Sequence, residues 1–248
     1  MLIRFFLPLL VVAAPSFCQD SLDSLVVRVG RRIEAYQAYD AYSAAVTSNV
    51  KIMDGDWKPE KVIRTEKKAF RKNGEQGEEI IQAVESEKGK ERDITQKARE
   101  ESAKSMEKSR RREKAGKDGT GGQVRLGLEG LIPFSNAKRP DYSFTLLPDT
   151  VVSGVKWVCV QALARQKDSE RYEGRYWIDP DTYDIRLMDV RPSKNPKFVK
   201  DLRMRFSFDV LPENRMVVTR TWMRVFAGIV IKKFRMELEE TYSDYRFE

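Results

Sequence analysis

The sequence contains no histidine. That single absence removes Ser-His-Asp and Cys-His triads, histidine metal ligands and imidazole proton shuttles. Cysteine is nearly absent as well, with only Cys18 and Cys159. If Cys18 leaves with a cleaved leader, no internal disulfide can form and the core alone must hold the fold. Cys159 lies in a strand-like run with Val158 and Val160, which reads as a small buried hydrophobe rather than a reactive thiol. Long apolar runs are also missing beyond the N-terminus, where none approaches the ~18 residues that a membrane-spanning helix needs. Carboxylate-only catalysis, Ser-Lys pairs and oxygen-ligand calcium sites survive these exclusions. Asp179, Asp181 and Asp184 offer three carboxylates within six residues, but the glycine and distal glutamate of an EF-hand loop are lacking. A β-turn built on Pro180 and Asp181 is the simpler reading. No catalytic residue, metal or cofactor is expected.

What is present begins with an export signal. Arg4 forms a short positive region, residues 5–14 an apolar one, and Ser16 and Cys18 stand at −3 and −1 before Gln19. This layout predicts a signal peptide over residues 1–18 and an exported, periplasmic protein. Phe17 is bulky, which argues against lipid attachment at Cys18.

Residues 21–36 place Leu22, Leu25, Val26, Val29, Ile33 and Tyr36 on one stripe, the pattern of an amphipathic helix that must dock on another element. Asp20 or Ser21 can cap it. The period then becomes two. Tyr42, Ala44, Val46, Ser48, Val50 and Ile52 alternate with their neighbours, and further strands are expected over 57–72, 78–87, 142–147, 151–166, 172–178, 185–190, 201–210, 215–226 and 229–240. Asp54-Gly55, Asn73-Gly74, residues 212–214 and Ala227-Gly228 supply turn signals. About ten strands follow one helix. The fold class is mainly β, with a long antiparallel meander that tends to curl.

Residues 19–248 read as a single domain interrupted by a charged insert at about 90–122. Residues 90–118 hold eleven basic and seven acidic side chains, a net of +4 within a total of +8. With only Ile94 and Met106 as large apolar residues, this stretch is either a solvated helix or disordered. Gly116, Gly119, Gly121 and Gly122 follow as a linker. Residues 123–140 read as loop or a short helix around Leu126, Leu128, Leu131 and Ile132. The Arg110-Arg111-Arg112 cluster would suit nucleic acid, but export makes an anionic membrane surface the more relevant partner.

The run Gly174-Arg175-Tyr176-Trp177-Ile178-Asp179-Pro180-Asp181-Thr182, followed by Ile185-Arg186, resembles the outer-membrane lipoprotein-sorting proteins. These are the periplasmic lipoprotein carriers of the LolA/LolB type and their relatives. The order of signal peptide, helix, long meander and second run of strands is similar, as is the ending at residues 241–247. The charged insert and the density of basic residues on the strands, including Arg220 and Arg224, depart from the pattern. The resemblance implies an unclosed half β-barrel with a helical lid and a hydrophobic cavity for acyl chains. It implies a non-catalytic carrier of lipid or acylated protein, with an envelope membrane or transporter as further partner and no nucleic acid. The alternative is an envelope stress sensor or adaptor that uses the same fold to bind a protein. A histidine-free hydrolase is the third class.

Along residues 201–210, Met204, Phe206 and Phe208 share one apolar face. Phe234 and Met236 share the matching face of a later strand. With Trp222 these are the candidate lining residues of a cavity. Trp222 is flanked at i±2 by Arg220 and Arg224, a pattern that also fits an outward aromatic site. Periodicity by itself leaves two readings open, a ligand cavity or a filled core.

Overall fold

The computed structural model describes residues 21–37, 41–72, 75–114, 128–152, 154–229 and 232–248. The expected signal peptide, the Asn73-Gly74 turn and the glycine linker after residue 115 lie outside them. The first element is helix α1 (Leu22–Glu34). Its Ser21 side chain accepts a hydrogen bond from the Ser24 amide at 3.3 Å. Asp23 in the first turn and Arg31 and Arg32 in the last complement the helix dipole. Leu25, Val26, Val29 and Gly30 form its buried side.

Eleven antiparallel strands follow among the described residues. They are β1 (Tyr42–Met53), β2 (Pro59–Lys72), β3 (Glu75–Glu87), β4 (Lys90–Asp93), β5 (Tyr142–Val152), β6 (Val155–Ala164), β7 (Tyr172–Ile178), β8 (Ile185–Pro192), β9 (Val199–Leu211), β10 (Arg215–Ile229) and β11 (Lys232–Phe247). They form one sheet in the order β4-β3-β2-β1-β11-β10-β9-β8-β7-β6-β5. The pairing of β1 with β11 joins the two meanders in the middle. β4 and β5 remain as edges, so the sheet is an unclosed half-barrel, mainly β with an N-terminal helix.

Several strand ends differ from the alternation pattern: β4 is an added strand, β11 runs on to Phe247, and two junctions move. The stretch 151–166 is not one strand, because β5 runs on to Val152 and β6 starts at Val155. Gly154, with φ of +80°, sits between them in the left-handed region that glycine enters freely. Pro148 is tolerated inside β5 because β5 is an edge strand with a register shift between Leu147 and Thr150. Ala227-Gly228 is not a turn. Both residues continue β10, opposite Phe234 and Lys233. The Gly228 amide donates to the Phe198 carbonyl at 2.9 Å, so this glycine extends the ladder.

The inner face of the sheet is the one that α1 covers. Leu25, Val26 and Val29 pack there with Val160, Tyr176, Ile178, Ile185, Met188, Met204 and Phe206. A second piece fills the same space. The short helix α2 (Leu128–Leu131) leads into Leu131, Ile132 and Phe134, all buried. Tyr176 is fully enclosed, and its hydroxyl donates to the Leu131 carbonyl at 2.7 Å, which satisfies a buried donor. The Phe134 ring meets Tyr176 edge-on at 5.1 Å and stacks on Phe144 at 5.3 Å. A Cβ at Gly30 would collide with the Phe134 carbonyl, so the helix approaches this segment only because residue 30 is glycine.

Of the two readings for the charged insert, the described part is ordered. It contributes β4 and a helix of twenty residues, α3 (Thr95–Lys114). None of the α3 side chains described is fully buried, as its charge requires. The helix lies along the free side of β3. Arg99 donates to the carbonyls of Ile80 at 2.9 Å and Ile81 at 3.1 Å, and the Ala83 amide donates to Thr95 Oγ1 at 2.9 Å. These are the backbone groups that β4 is too short to reach, and α3 covers an edge that would otherwise invite another strand.

Candidate functional site

The predicted lining residues do not form one surface. Met204, Phe206 and Phe208 are buried on the inner face of β9, within the core that α1 closes. Phe206 and Phe208 stack at 6.4 Å. Trp222 lies on the opposite face. It stands across from Arg205 on β9 and Glu239 on β11. The Arg205 guanidinium sits 5.9 Å from its ring, which is the outward aromatic arrangement. Phe234 is 43% exposed, near the start of β11. Met236 is half-buried on the inner face.

Met236 belongs to a surface that the sequence pattern did not assemble. Cross-strand register sets two apolar rows side by side. In one, Ile63 on β2 faces Val50 on β1, then Leu238 on β11, Met223 on β10 and Met204 on β9. In the other, Ile52 faces Met236, then Val225 and Leu202. Met204 and Leu202 are buried, while Ile63, Val50, Leu238, Met223, Ile52, Met236 and Val225 are half-exposed. Each row therefore begins in the filled core and emerges onto open inner face. Val50, Ile52, Ile63, Met236 and Leu238 are the part of this strip that the helix-covered core does not include. Apolar side chains in rows on an open concave face are what an acyl chain can lie on. Alternation in β1 and β11 carried this signal, but the registry that aligns the two strands did not show in either one.

The strip ends in a polar row. Ser48 faces Glu240, and Glu240 faces Thr221. Lys67 reaches across from β2 to Glu240 at 2.9 Å and to Glu78 at 2.8 Å. Burial alone would lower the Lys67 ammonium, but the two carboxylates outweigh it and the net shift is upward. The Tyr242 hydroxyl donates to Glu240 at 2.6 Å, and burial together with that carboxylate pushes its pKa well up. The Lys67 ammonium stays charged and the Tyr242 hydroxyl stays protonated, and the network closes one end of the strip with fixed, paired polarity.

The Gly174-to-Thr182 run turns out to be structural. A Cβ at Gly174 would strike the Asp189 carbonyl, so β7 and β8 approach closely there. Trp177 donates to Thr150 at 3.2 Å on the outer face. Asp179 accepts from the amides of Asp181 at 3.0 Å and Thr182 at 3.2 Å, as a turn residue does. Asp184 is almost fully buried and accepts from Arg32 and from the Tyr36 hydroxyl of α1. Among the described residues, no group of three or more acidic or cysteine side chains is placed to hold a metal ion.

Comparison with known proteins gives no match to a family profile and none to a curated sequence. Solved structures do match. A putative outer-membrane lipoprotein-sorting protein domain from Vibrio parahaemolyticus aligns over 90% of this chain and 92% of its own, at 11% identity and a TM-score of 0.41. A LolA superfamily protein from Nitrosomonas europaea aligns over 90% and 92%, at 12% identity and a TM-score of 0.37. The lipoprotein LppX from Mycobacterium tuberculosis aligns over 91% and 96%, at 10% identity and a TM-score of 0.29. The chain is similar to lipoprotein-sorting domains. No helix among the described residues is long and apolar enough to cross a membrane.

Proposed function

We propose that this protein is an exported, non-catalytic carrier that holds acyl chains of a lipid or an acylated protein on its inner face. The observation that supports this reading is the pair of apolar rows running from the closed core to the open strip at Val50, Ile52, Ile63, Met236 and Leu238. Removing a chain from water onto such a surface contributes about 0.8 kcal/mol per buried methylene, so a short length of chain gives useful affinity without any covalent step. Met236 and Met223 suit this role because a thioether chain adapts its shape to its contacts. The filled half of the face, with Met204, Phe206 and Phe208, serves as the wall against which the strip is built. Helix α1 is the lid over that half, and residues 1–18 are the signal that exports the chain to the periplasm.

Native mass spectrometry of the secreted protein tests the reading. The expected result is a chain that begins at Gln19 and carries a co-purified acyl lipid, with fluorescent fatty acid binding restored once that lipid is extracted. A ligand-free chain that takes up no fatty acid, or one that co-purifies only with a protein, would replace the carrier with an adaptor.

A further inference from the structure

One end of the sheet carries aromatic rings set among cations. The β1–β2 turn, the start of β9, the end of β10 and the start of β11 all lie there. Phe198 is 57% exposed just before β9, and Phe234 is 43% exposed at the start of β11, on the same face as Met236. Phe198 holds φ at +70°, a strained conformation for a bulky residue that sheets do not adopt without compensation. Trp57, in the β1–β2 turn, meets Phe226 edge-on at 6.5 Å. Cations lie over three of these rings. Lys197 is 5.0 Å from the Phe198 centroid. Lys200 and Arg235 are 5.3 Å and 4.6 Å from Phe226. Arg224 and Arg235 flank Trp57 at 3.5 Å and 5.9 Å.

The acids nearby do not balance this charge. Asp54 directs its carboxylate to the backbone amides of Asp56 and Lys58, both at 2.8 Å. Asp201 pairs with Arg203 at 3.6 Å. Asp56, Glu60 and Glu237 join them, the last opposite Arg224, so five acids stand against Lys51, Lys58, Lys197, Lys200, Arg203, Arg224, Lys233 and Arg235. An exposed phenylalanine alone would need no explanation. Two of them on a rim with this excess of lysine and arginine match the chemistry of a bilayer interface, where aromatic rings sit at headgroup depth and basic side chains meet phosphates.

We infer that this rim docks the protein on an anionic lipid surface, with Phe198 and Phe234 entering the interface and the surrounding cations engaging headgroup phosphates. The rim adjoins the open strip, since Met236 follows Phe234 by two residues and Ile52 stands opposite Met236. Docking there would turn the strip toward the membrane. The inference rests on the rim's own chemistry and does not require the carrier reading.

Co-sedimentation with vesicles of phosphatidylcholine, with and without phosphatidylglycerol, tests it on the secreted chain. The wild type is expected to bind vesicles that contain phosphatidylglycerol, to ignore phosphatidylcholine alone, and to release as salt rises. The pair Phe198→Ser and Phe234→Ser, and separately Lys197→Glu and Lys200→Glu, should each weaken binding at least about tenfold. These positions are solvent-facing, and unchanged circular dichroism confirms that the fold persists. The pair Val151→Ser and Val155→Ser, exposed at the other end of the sheet, should bind as the wild type does. Equal binding to both vesicle types, no binding to either, or rim variants that bind normally would each overturn the inference. Fatty acid uptake measured on the same samples is expected to survive Lys197→Glu and Lys200→Glu, so a failed carrier and a failed docking surface give different results.

Discussion

Arg32 Nε donates to Asp184 Oδ1 at 2.5 Å, joining helix α1 to the β7–β8 turn across 152 residues of chain. The carboxylate is 3% exposed and the guanidinium 28%. Tyr36 adds a second donor at 2.8 Å. Arg28 reaches Tyr183 in the same turn. Burial alone would raise the Asp184 carboxyl, but the hydrogen bonds from Arg32, Tyr36 and Thr182 hold it below the usual carboxylate range. This contact latches the lid by its C-terminal end.

Replacing Arg32 with alanine leaves a buried carboxylate short of its main partner. The variant should lose about 2 kcal/mol of stability, as expected for a hydrogen bond to a charged group with one half-exposed partner. The sign of the pH dependence follows from the lowered Asp184 carboxyl. Its contribution is complete above the unfolded value near pH ~4 and disappears as pH falls through the folded value. Thermal melts of the wild type should therefore drop below about pH 4, and Asp184→Asn should flatten that drop while lowering Tm at neutral pH. A wild-type acid profile unchanged in Asp184→Asn would show that the latch carries none of it.

The helix along β3 predicts a defect in association more than in stability. Arg99→Ala frees the carbonyls of Ile80 and Ile81 at an edge that Ile81, 54% exposed, already makes sticky. The expected cost is only about 1 kcal/mol, but light scattering during prolonged incubation should rise well above wild type. Exchanging α3 for a glycine-serine linker should do so more strongly. Scattering equal to wild type would mean that another segment shields the edge.

The two halves of the inner face should answer differently to polar substitution. Phe208→Asp places an unpaired charge in the filled core and should cost several kcal/mol, enough to unfold a marginal domain. Met236→Gln and Leu238→Gln change polarity at half-exposed positions with little change of shape. They should keep the fold and weaken binding of a fluorescent fatty acid about tenfold each. Trp222→Ala, on the outer face, should leave probe binding unchanged. Titration of the probe into each folded variant gives the comparison.

Cys159 is 3% exposed on β6, and burial pushes its thiol up. It should not react with thiol reagents at neutral pH in the folded protein and should react fully in denaturant. Labelling under native conditions would place the β5–β6 hairpin in an open state.

Much of the fold was legible because it depends on local period. The stripe from Leu22 to Tyr36 could only be a docked helix, and Leu202, Met204, Phe206 and Phe208 could only be one face of a strand. Asp54-Gly55 and the loop before Arg215 turned where they should. The edge-covering role of α3 was not legible, because Arg99 and Thr95 bind backbone groups of β3 that no side-chain pattern announces. Nor was the second filling piece, whose Phe134 gave no periodic signal.

Trp222 shows where local reading ends. Met216 and Val218 pack toward the core. Simple alternation from them would bring Arg220, Trp222 and Arg224 inward as well. The register of β10 on β9 shifts between Val218 and Arg220, and the extra residue passes the inner positions to Thr221, Met223 and Val225. A β-bulge of one residue thus exchanges the faces of half a strand. Side-chain chemistry and period are enough to place the helix, most of the strands and the apolar positions. Which apolar residues meet is a property of the folded chain. That depends on register between strands far apart in the chain, on where α1 and Phe134 come to rest, and on which part of the inner face they leave open.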